Sequence, residues 1–435
     1  MDKIFLSQDV FSVSQERLDF IFANFEKIYL SFSGGKDSGV MLNLTIDYMK
    51  KHNIKSKIGL MVMDNEANYT HSLEFMLKII DDNIDYLDVY WCCLPIALPC
   101  TTSSFFEEWI CWNTQEEEKW VNKMPDRDYV INESNHKFPF FKTGMSYEVF
   151  WDNFGEWYSE GKRTACMIGI RTDESLNRFR AIANKDKIML DNKCWTKKNG
   201  KNVYNVYPIY DWRTNDIWIA NAKFEWLYNK LYDIFYMAGM SVSQMRVASP
   251  FMSEGKSSLN MYKVIDEHIW RKLCLRVSGA NFVAQYGKQL MYKDFTLPVG
   301  HTWKSFVKFL LNTLPDEVKK NYRARFIQSF KLWGRLGRGL SDDVIKDLQK
   351  NNIKFTINGV TAHGRKNKKR VVIKIPPDDL NCLKAHNSEV TSWKRFGITI
   401  LKNDHTCKYM GLSPTKDQEN RKKMIIKKYS KINEV

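Results

Sequence analysis

From residue 31 the chain reads Ser-Phe-Ser-Gly-Gly-Lys-Asp-Ser-Gly, and the chemistry these types can do together is anion binding. Adjacent Gly34 and Gly35 allow a backbone turn tight enough to press N–H groups onto phosphate oxygens. Lys36 adds a positive charge, Ser33 and Ser38 add hydroxyls, and Asp37 places a carboxylate beside the lysine. The competing reading is a turn that only joins two elements. This is not a Walker A loop, because Gly-x-x-x-x-Gly-Lys-Ser/Thr occurs nowhere in the chain.

Three further groups qualify by type and spacing. Asp64 follows an apolar run; its carboxylate suits a ribose hydroxyl or, with Asp37, a Mg²⁺ ion, but it equally suits a turn or helix cap. Gly169, Arg171, Glu174 and Arg178 follow another apolar run, and a guanidinium fork suits sulfate, phosphate or carboxylate. Glu174 and Arg178 stand four residues apart and can instead pair with each other on a helix, the reading that also suits Arg180 as a helical surface residue. Trp212 and Trp218 read as core residues and Asp216 as a helix cap.

The elements that must position these residues follow from periodicity. Residues 14–25 predict a helix and 27–32 a short buried strand that runs into the glycine loop. A helix begins near Ser38, with Val40, Leu44 and Tyr48 on one face, and strands follow at 57–63 and 86–91 around a helix at 69–80. This alternation predicts an α/β fold with a doubly wound parallel sheet whose site lies at the carboxyl ends of its strands. The stretch 95–160, rich in Trp, Phe and acidic residues, predicts a mostly helical insertion. The alternation resumes with a strand at 164–170, a helix at 176–184, and two short strands around 196–202, the second reaching Tyr210.

Charge divides the chain. Residues 301–435 hold 30 Lys and Arg against 12 Asp and Glu, whereas the whole chain carries a net charge of +16, so the first 300 residues are close to neutral. A near-neutral body with a basic C-terminal third points to a surface for a polyanion. Within that third the run Lys366, Lys368, Lys369 and Arg370 reads as a basic hairpin tip for nucleic acid. Aromatics at helical spacing among the cations, such as Tyr322, Phe326 and Trp333, suit either a phosphate-tracking surface or the core of an amphipathic bundle. Nine cysteines occur without a Cys-x-x-Cys pair, which suits buried thiols in a reducing compartment. With neither a leader pattern nor a long apolar run, the chain reads as cytoplasmic, without a membrane partner.

The loop Ser33-Gly34-Gly35-Lys36-Asp37-Ser38 resembles the pyrophosphate-binding (PP) loop of N-type ATP pyrophosphatases, above all the branch of phosphoadenosine-phosphosulfate (PAPS) reductases and sulfate adenylyltransferase. Gly169-Ile170-Arg171-Thr172-Asp173-Glu174-Ser175 with Arg178, and the segment from Pro208 to Trp218, are similar to that branch's later motifs in the same order. A closer similarity runs through Arg178, Arg180 and the segment 243–251 to the subfamily named for immunoglobulin-binding regulator A, members of which often sit beside a ParB-like protein.

The charge division marks a basic, mostly helical domain over 301–435, and the resemblance implies an adenine nucleotide α-hydrolase-like domain over residues 1–240 and a subfamily extension over 241–300. It implies ATP or PAPS and Mg²⁺ as ligands, with Lys36, Asp37 and Arg171 catalytic, and an adenylylated or sulfur-bearing product formed with release of pyrophosphate. The reductases' Glu-Cys-Gly-x-His nucleophile and paired cluster cysteines are absent, so no iron-sulfur cluster and no sulfate reduction are expected. The alternative is a nucleotide-responsive regulatory or nucleic-acid-binding protein that acts with a ParB-like partner without useful turnover. Substitutions in the glycine loop are expected to leave the fold intact.

Overall fold

The computed structural model describes residues 6–412 except 185, 243, 256–257, 282–296, 361–367 and 381–389. The chain forms two compact units, one of residues 1–99 and 108–284, the other of residues 100–107 and 285–435.

The first unit opens with helix α1 (Val10–Asn24), which begins four residues before its predicted start because the Asp9 carboxylate caps the N–H groups of Phe11 and Ser12. Strand β1 (Lys27–Phe32) leads into α2 (Lys36–Lys51), β2 (Ile58–Met63), α3 (Thr70–Asp81) and β3 (Leu87–Cys92). A hairpin of β4 (Ala97–Pro99) and β5 (Glu108–Ile110) precedes β6 (Val130–Ile131), α4 (Tyr147–Ser159) and β7 (Thr164–Ile168). Then come α5 (Leu176–Ala183), β8 (Thr196–Lys198), β9 (Val203–Val206), α6 (Thr214–Lys223) and α7 (Leu231–Met237). Helices α8 (Leu259–Ile265) and α9 (Glu267–Arg276) complete the unit as described.

Seven strands form one sheet in the order β6-β3-β2-β1-β7-β9-β8, parallel except where β8 runs against β9. This is the doubly wound α/β architecture that the alternation predicts and the adenine nucleotide α-hydrolase-like fold that the resemblance implies. Its central strands are continuous apolar runs because helices cover both faces of such a sheet. Leu30 registers against Leu60 on one side and Met167 on the other, all fully buried.

Two expectations are corrected. The insertion at 95–160 is not mostly helical: among its described residues one α-helix, α4, follows a hairpin, a 3₁₀ turn, irregular chain and a strand that joins the sheet edge beside β3. Phe150, Phe154 and Tyr158 are buried along one face of α4, whereas Trp109 and Trp112 reach the core from outside any helix. Strand β9 stops at Val206, because Pro208 has no N–H for a ladder and residues 207–210 close a turn instead.

Helix α4 fastens the sheet centre. The Tyr158 hydroxyl donates to Ile28 O at 3.0 Å and accepts the Gly59 N–H at 3.1 Å, so one phenol bridges β1 and β2. Gly59 leaves the room this needs: a Cβ there would lie 2.8 Å from the Tyr29 Cβ and the Tyr158 ring.

In the second unit, strands β10 (Arg338–Leu340), β11 (Thr356–Val360) and β12 (Lys369–Val372) form an antiparallel sheet in the order β10-β12-β11. Helices Trp303–Thr313, Asp316–Lys331, Asp342–Lys350 and Trp393–Leu401 accompany it. Tyr322, Phe326 and Phe396 share one core and Trp333 belongs to another, so these aromatics serve packing and not an exposed stacking surface. Among the described residues no helix is long and apolar enough to cross a membrane.

Gly59→Ala is expected to cost about 1–3 kcal/mol through overpacking. Urea unfolding of the variant, showing a lower midpoint at unchanged slope, checks it.

Candidate active site

The glycine loop sits where β1 meets α2 at the sheet's carboxyl edge. Gly34 has φ +69°, and a Cβ there would approach Met76 Sδ of α3 to 2.6 Å, so both conformation and space require glycine. Gly35 is the N-cap of α2 and has no side chain to cap the first turn, which leaves the helix's positive end for a ligand. The Lys36 N–H donates to the Tyr232 hydroxyl at 3.0 Å, and the Ser38 hydroxyl donates to Gly35 O at 3.1 Å with Ser33 Oγ 3.0 Å away. Burial pushes the Tyr232 phenol well up, so it remains a neutral hydroxyl.

A buried ion pair binds this loop to the turn after β7. Arg171, only 1% exposed, donates from Nε to Asp37 Oδ1 at 2.7 Å, while Asp37 Oδ2 lies 3.2 Å from Lys36 Nζ. Arg171 Nη1 turns to Thr214 Oγ1 at 3.3 Å and Trp212 O at 3.5 Å. The two segments touch closely: a Cβ on Gly169 would lie 3.0 Å from the Asp37 carbonyl. Arg171 is therefore a positioning residue, and the expectation that it meets the ligand is corrected. Its charge is spent on Asp37 beneath the loop.

The cleft above has a volume of about 340 Å³, and Ser33, Gly35, Lys36, Asp37, Ser38 and Gly169 line its floor. Glu174 and Arg178 also line it and pair with each other at i, i+4, the bland reading realised at a site wall. Tyr232, Arg246 and Glu254 complete it, three residues that sequence reasoning did not single out as site residues. Arg246 hangs by Nη2 from Glu174 O at 3.4 Å. A smaller lobe of about 100 Å³ shares Ser31, Ser33, Val247 and Ala248 with this cleft and runs to Phe32, Val62, Met63, Met76, Tyr147 and Trp151. The cleft, with Lys36, Arg178 and Arg246 beside Asp37, Glu174 and Glu254, thus adjoins a small recess in which Val62, Met63 and Trp151 stand among polar side chains such as Asn65, Asn68 and Ser249.

Asp64 does not open into either lobe. It is 1% exposed and accepts from Glu66 N at 2.8 Å, Asn68 Nδ2 at 2.9 Å and Trp91 Nε1 at 2.9 Å. Burial outweighs these donors and pushes its carboxyl up to about 6. With Asp64 enclosed and Asp37 held by Lys36 and Arg171, the two carboxylates proposed for Mg²⁺ do not make a shared metal site; among the described residues no cluster of three His, Cys, Asp or Glu does. Asp64 is a scaffold acid, which corrects the reading of it as a ribose or metal ligand.

Glu66 beside it is fully buried at φ +67° and meets a fork from Arg276 of α9, Nε at 2.8 Å and Nη2 at 3.2 Å. The same carboxylate accepts the N–H groups of Trp112 and Val121 from the insertion. No local signal pairs residues 66 and 276.

In the second unit the basic run divides. Lys366 lies outside the described residues. Lys369 pairs with Asp342 at 2.9 Å with both side chains half-exposed, and the stem of Arg370 lies over Gly337. Lys368 immediately precedes the strand and is exposed.

The family description "Phosphoadenosine phosphosulfate reductase domain" matches residues 119–238, and "Domain of unknown function (DUF3440)" matches residues 239–421. The Escherichia coli (strain K12) protein named "Uncharacterized protein YbdN" is 30% identical over 423 residues, covering 96% of this chain and 93% of its own. Similar solved structures include phosphoadenylyl-sulfate (PAPS) reductase from Candida auris, at 15% identity over 57% of this chain and 98% of that one, TM-score 0.31. Another is the U34-tRNA thiolase NcsA from Methanococcus maripaludis, at 12% identity over 64% and 79%, TM-score 0.30.

Asp37→Ala is expected to destabilise the protein by about 3–5 kcal/mol, because it strands the Arg171 charge in the interior, whereas Lys36→Ala costs under about 1 kcal/mol. Paired denaturant curves check the contrast, which departs from the expectation that the whole loop tolerates substitution. A second outcome concerns pH. A carboxyl raised above its unfolded value favours folding only while protonated, so the Asp64 contribution is fully present below about pH 4 and is lost as pH rises to about 6. Over that window wild-type stability should fall relative to Asp64→Asn by up to about 3 kcal/mol, read from unfolding free energies at half-unit pH steps.

Proposed function

This chain belongs to the phosphoadenosine phosphosulfate reductase-like branch of the PP-loop superfamily, together with YbdN, and from that premise we propose that it is an ATP-using adenylyl transferase that releases pyrophosphate. The observation that carries the reading is the continuity of the cleft over the glycine loop, with Lys36 on its floor and Arg178 and Arg246 on its walls, with the smaller recess beside Val62, Met63 and Trp151. A nucleoside triphosphate has those two halves, a polyanionic tail and a flat heterocycle. Phosphates on the glycine loop put the ring in the recess at the end of β2.

In this reading an acceptor oxygen attacks the α-phosphorus, the bond to the α–β bridging oxygen breaks, and pyrophosphate departs with that electron pair. The acceptor's proton, where it has one, leaves to solvent. Lys36 and the first-turn N–H groups of α2 stabilise charge as it builds on pyrophosphate, and their value is greatest because the cleft fixes them before reaction. Arg178 and Arg246 reach from two separate segments and hold non-bridging oxygens as forks. Tyr232, neutral and hydrogen-bonded to the loop backbone, keeps the loop in shape. Asp37 acts through Arg171 and Lys36 and not as a metal ligand, so no step is assigned to Mg²⁺ on the protein's own carboxylates.

Incubation with α-labelled and γ-labelled ATP is expected to yield labelled AMP or an AMP-bearing acceptor from the first, and pyrophosphate from the second. Appearance of ADP with inorganic phosphate would overturn the reading. Arg178→Ala and Arg246→Ala should each lower kcat/KM for ATP by roughly tenfold to a hundredfold, since each removes one charge-assisted contact.

A further inference from the structure

The second unit holds a pocket of about 520 Å³ walled by Arg338, Gly339, Leu340, Arg395, Lys408 and Tyr409. Arg395 stands in the first turn of helix Trp393–Leu401, and its guanidinium is spent on carbonyls, Nη1 to Val390 O at 3.0 Å and Nη2 to Tyr409 O. Its Nε is buried without a hydrogen-bond partner although the side chain is only 6% exposed. Arg338 likewise gives Nη2 to a carbonyl, Gly411 O at 3.0 Å, and its guanidinium lies 5.9 Å from the Trp333 ring. Among the described residues no carboxylate forms an ion pair with Arg338, Arg395 or Lys408. The neighbouring acid, Asp404, is committed to the N–H groups of Lys408 and Tyr409.

A buried guanidinium is stable when its charge is answered, and carbonyl dipoles answer it only in part. Burial draws both arginines below their ordinary range, and the two repel each other. Two forks and an exposed ammonium around one hollow suit a body that carries more than one negative charge and several acceptor oxygens. A carboxylate or a phosphodiester brings one charge, whereas a phosphate monoester brings nearly two.

We propose that the C-terminal unit binds a phosphate monoester in the pocket formed by Arg338, Arg395 and Lys408, at a site independent of the nucleotide cleft. Arg338 supplies a fork from β10, Arg395 forms the wall with a charge that only carbonyls answer, and Lys408 adds a point charge on the open side. The ligand is either a small phosphorylated molecule or the phosphorylated end of a nucleic acid, which share this chemistry. The overall positive charge of the unit serves to bring such a ligand in.

The test reads the site directly in the full-length protein. Phenylglyoxal modifies accessible arginines, and peptide mass spectrometry follows Arg338 with increasing inorganic phosphate. Phosphate should protect Arg338 saturably; Lys408→Gln should raise the half-protecting concentration about tenfold, the worth of one charge-assisted contact. Lys36→Ala should leave that concentration unchanged, which separates this site from the cleft. A short single-stranded oligonucleotide carrying a 5′-phosphate, protecting where its 5′-hydroxyl twin does not, identifies the nucleic-acid end; protection by glycerol phosphate but by neither oligonucleotide identifies a small ligand. Equal protection by the 5′-hydroxyl oligonucleotide would overturn the monoester assignment. So would an Arg338 modification rate indifferent to phosphate, or a Lys408→Gln response identical to wild type.

Discussion

A guanidinium with almost no solvent of its own must be answered inside the protein, and for Arg171 the answer is Asp37. That single requirement sets the geometry of the sheet's carboxyl edge at the glycine loop. The pair draws the glycine loop down onto the turn after β7, and the approach is close enough that a Cβ at residue 169 would press on the Asp37 carbonyl at 3.0 Å. Lys36, which shares the Asp37 carboxylate, is thereby held at the floor of the cleft instead of sweeping through solvent. Order in this loop comes from charge compensation below it and from the Tyr232 hydroxyl, which takes the Lys36 N–H.

A second layer of compensation supports the recess. Asp64, Glu66, Trp91, Trp112 and Arg276 form a polar core under the β2 end, in which nearly every donor meets an acceptor. Such networks are rigid when complete, because the same low dielectric that strengthens each bond penalises a missing partner. The two layers divide the work: one shapes the phosphate floor, the other the wall beside it.

The parallel sheet was legible because buried strands such as Lys27–Phe32 and Ile58–Met63 are continuous apolar runs separated by amphipathic helices. The glycine loop was legible because glycine pairs beside lysine have few other uses. What stayed hidden was the direction in which charged groups point. Arg171 and Arg178 share one motif, yet one is buried beneath the loop and the other lines the cleft, a difference set by where Asp37 lies after folding. Arg246 sits between a turn and an irregular segment with no periodicity to mark it. The insertion misled because only its last stretch, with Phe150, Phe154 and Tyr158 on one face, is an α-helix, while Trp112 is anchored singly by its indole N–H on Asp64 O.

The fork between Glu66 and Arg276 spans 210 positions of the chain, and that separation has a temporal meaning. During synthesis the β2 end leaves the ribosome long before its counterion exists. At roughly 5–20 residues per second, the interval is on the order of ten to forty seconds. Through that time the Glu66 carboxylate has no guanidinium to answer it, and only the N–H groups of Trp112 and Val121 and water can do so. The wall of the recess is thus completed only once α9 has emerged, and the nascent chain carries an anion-binding loop well before it carries a finished site.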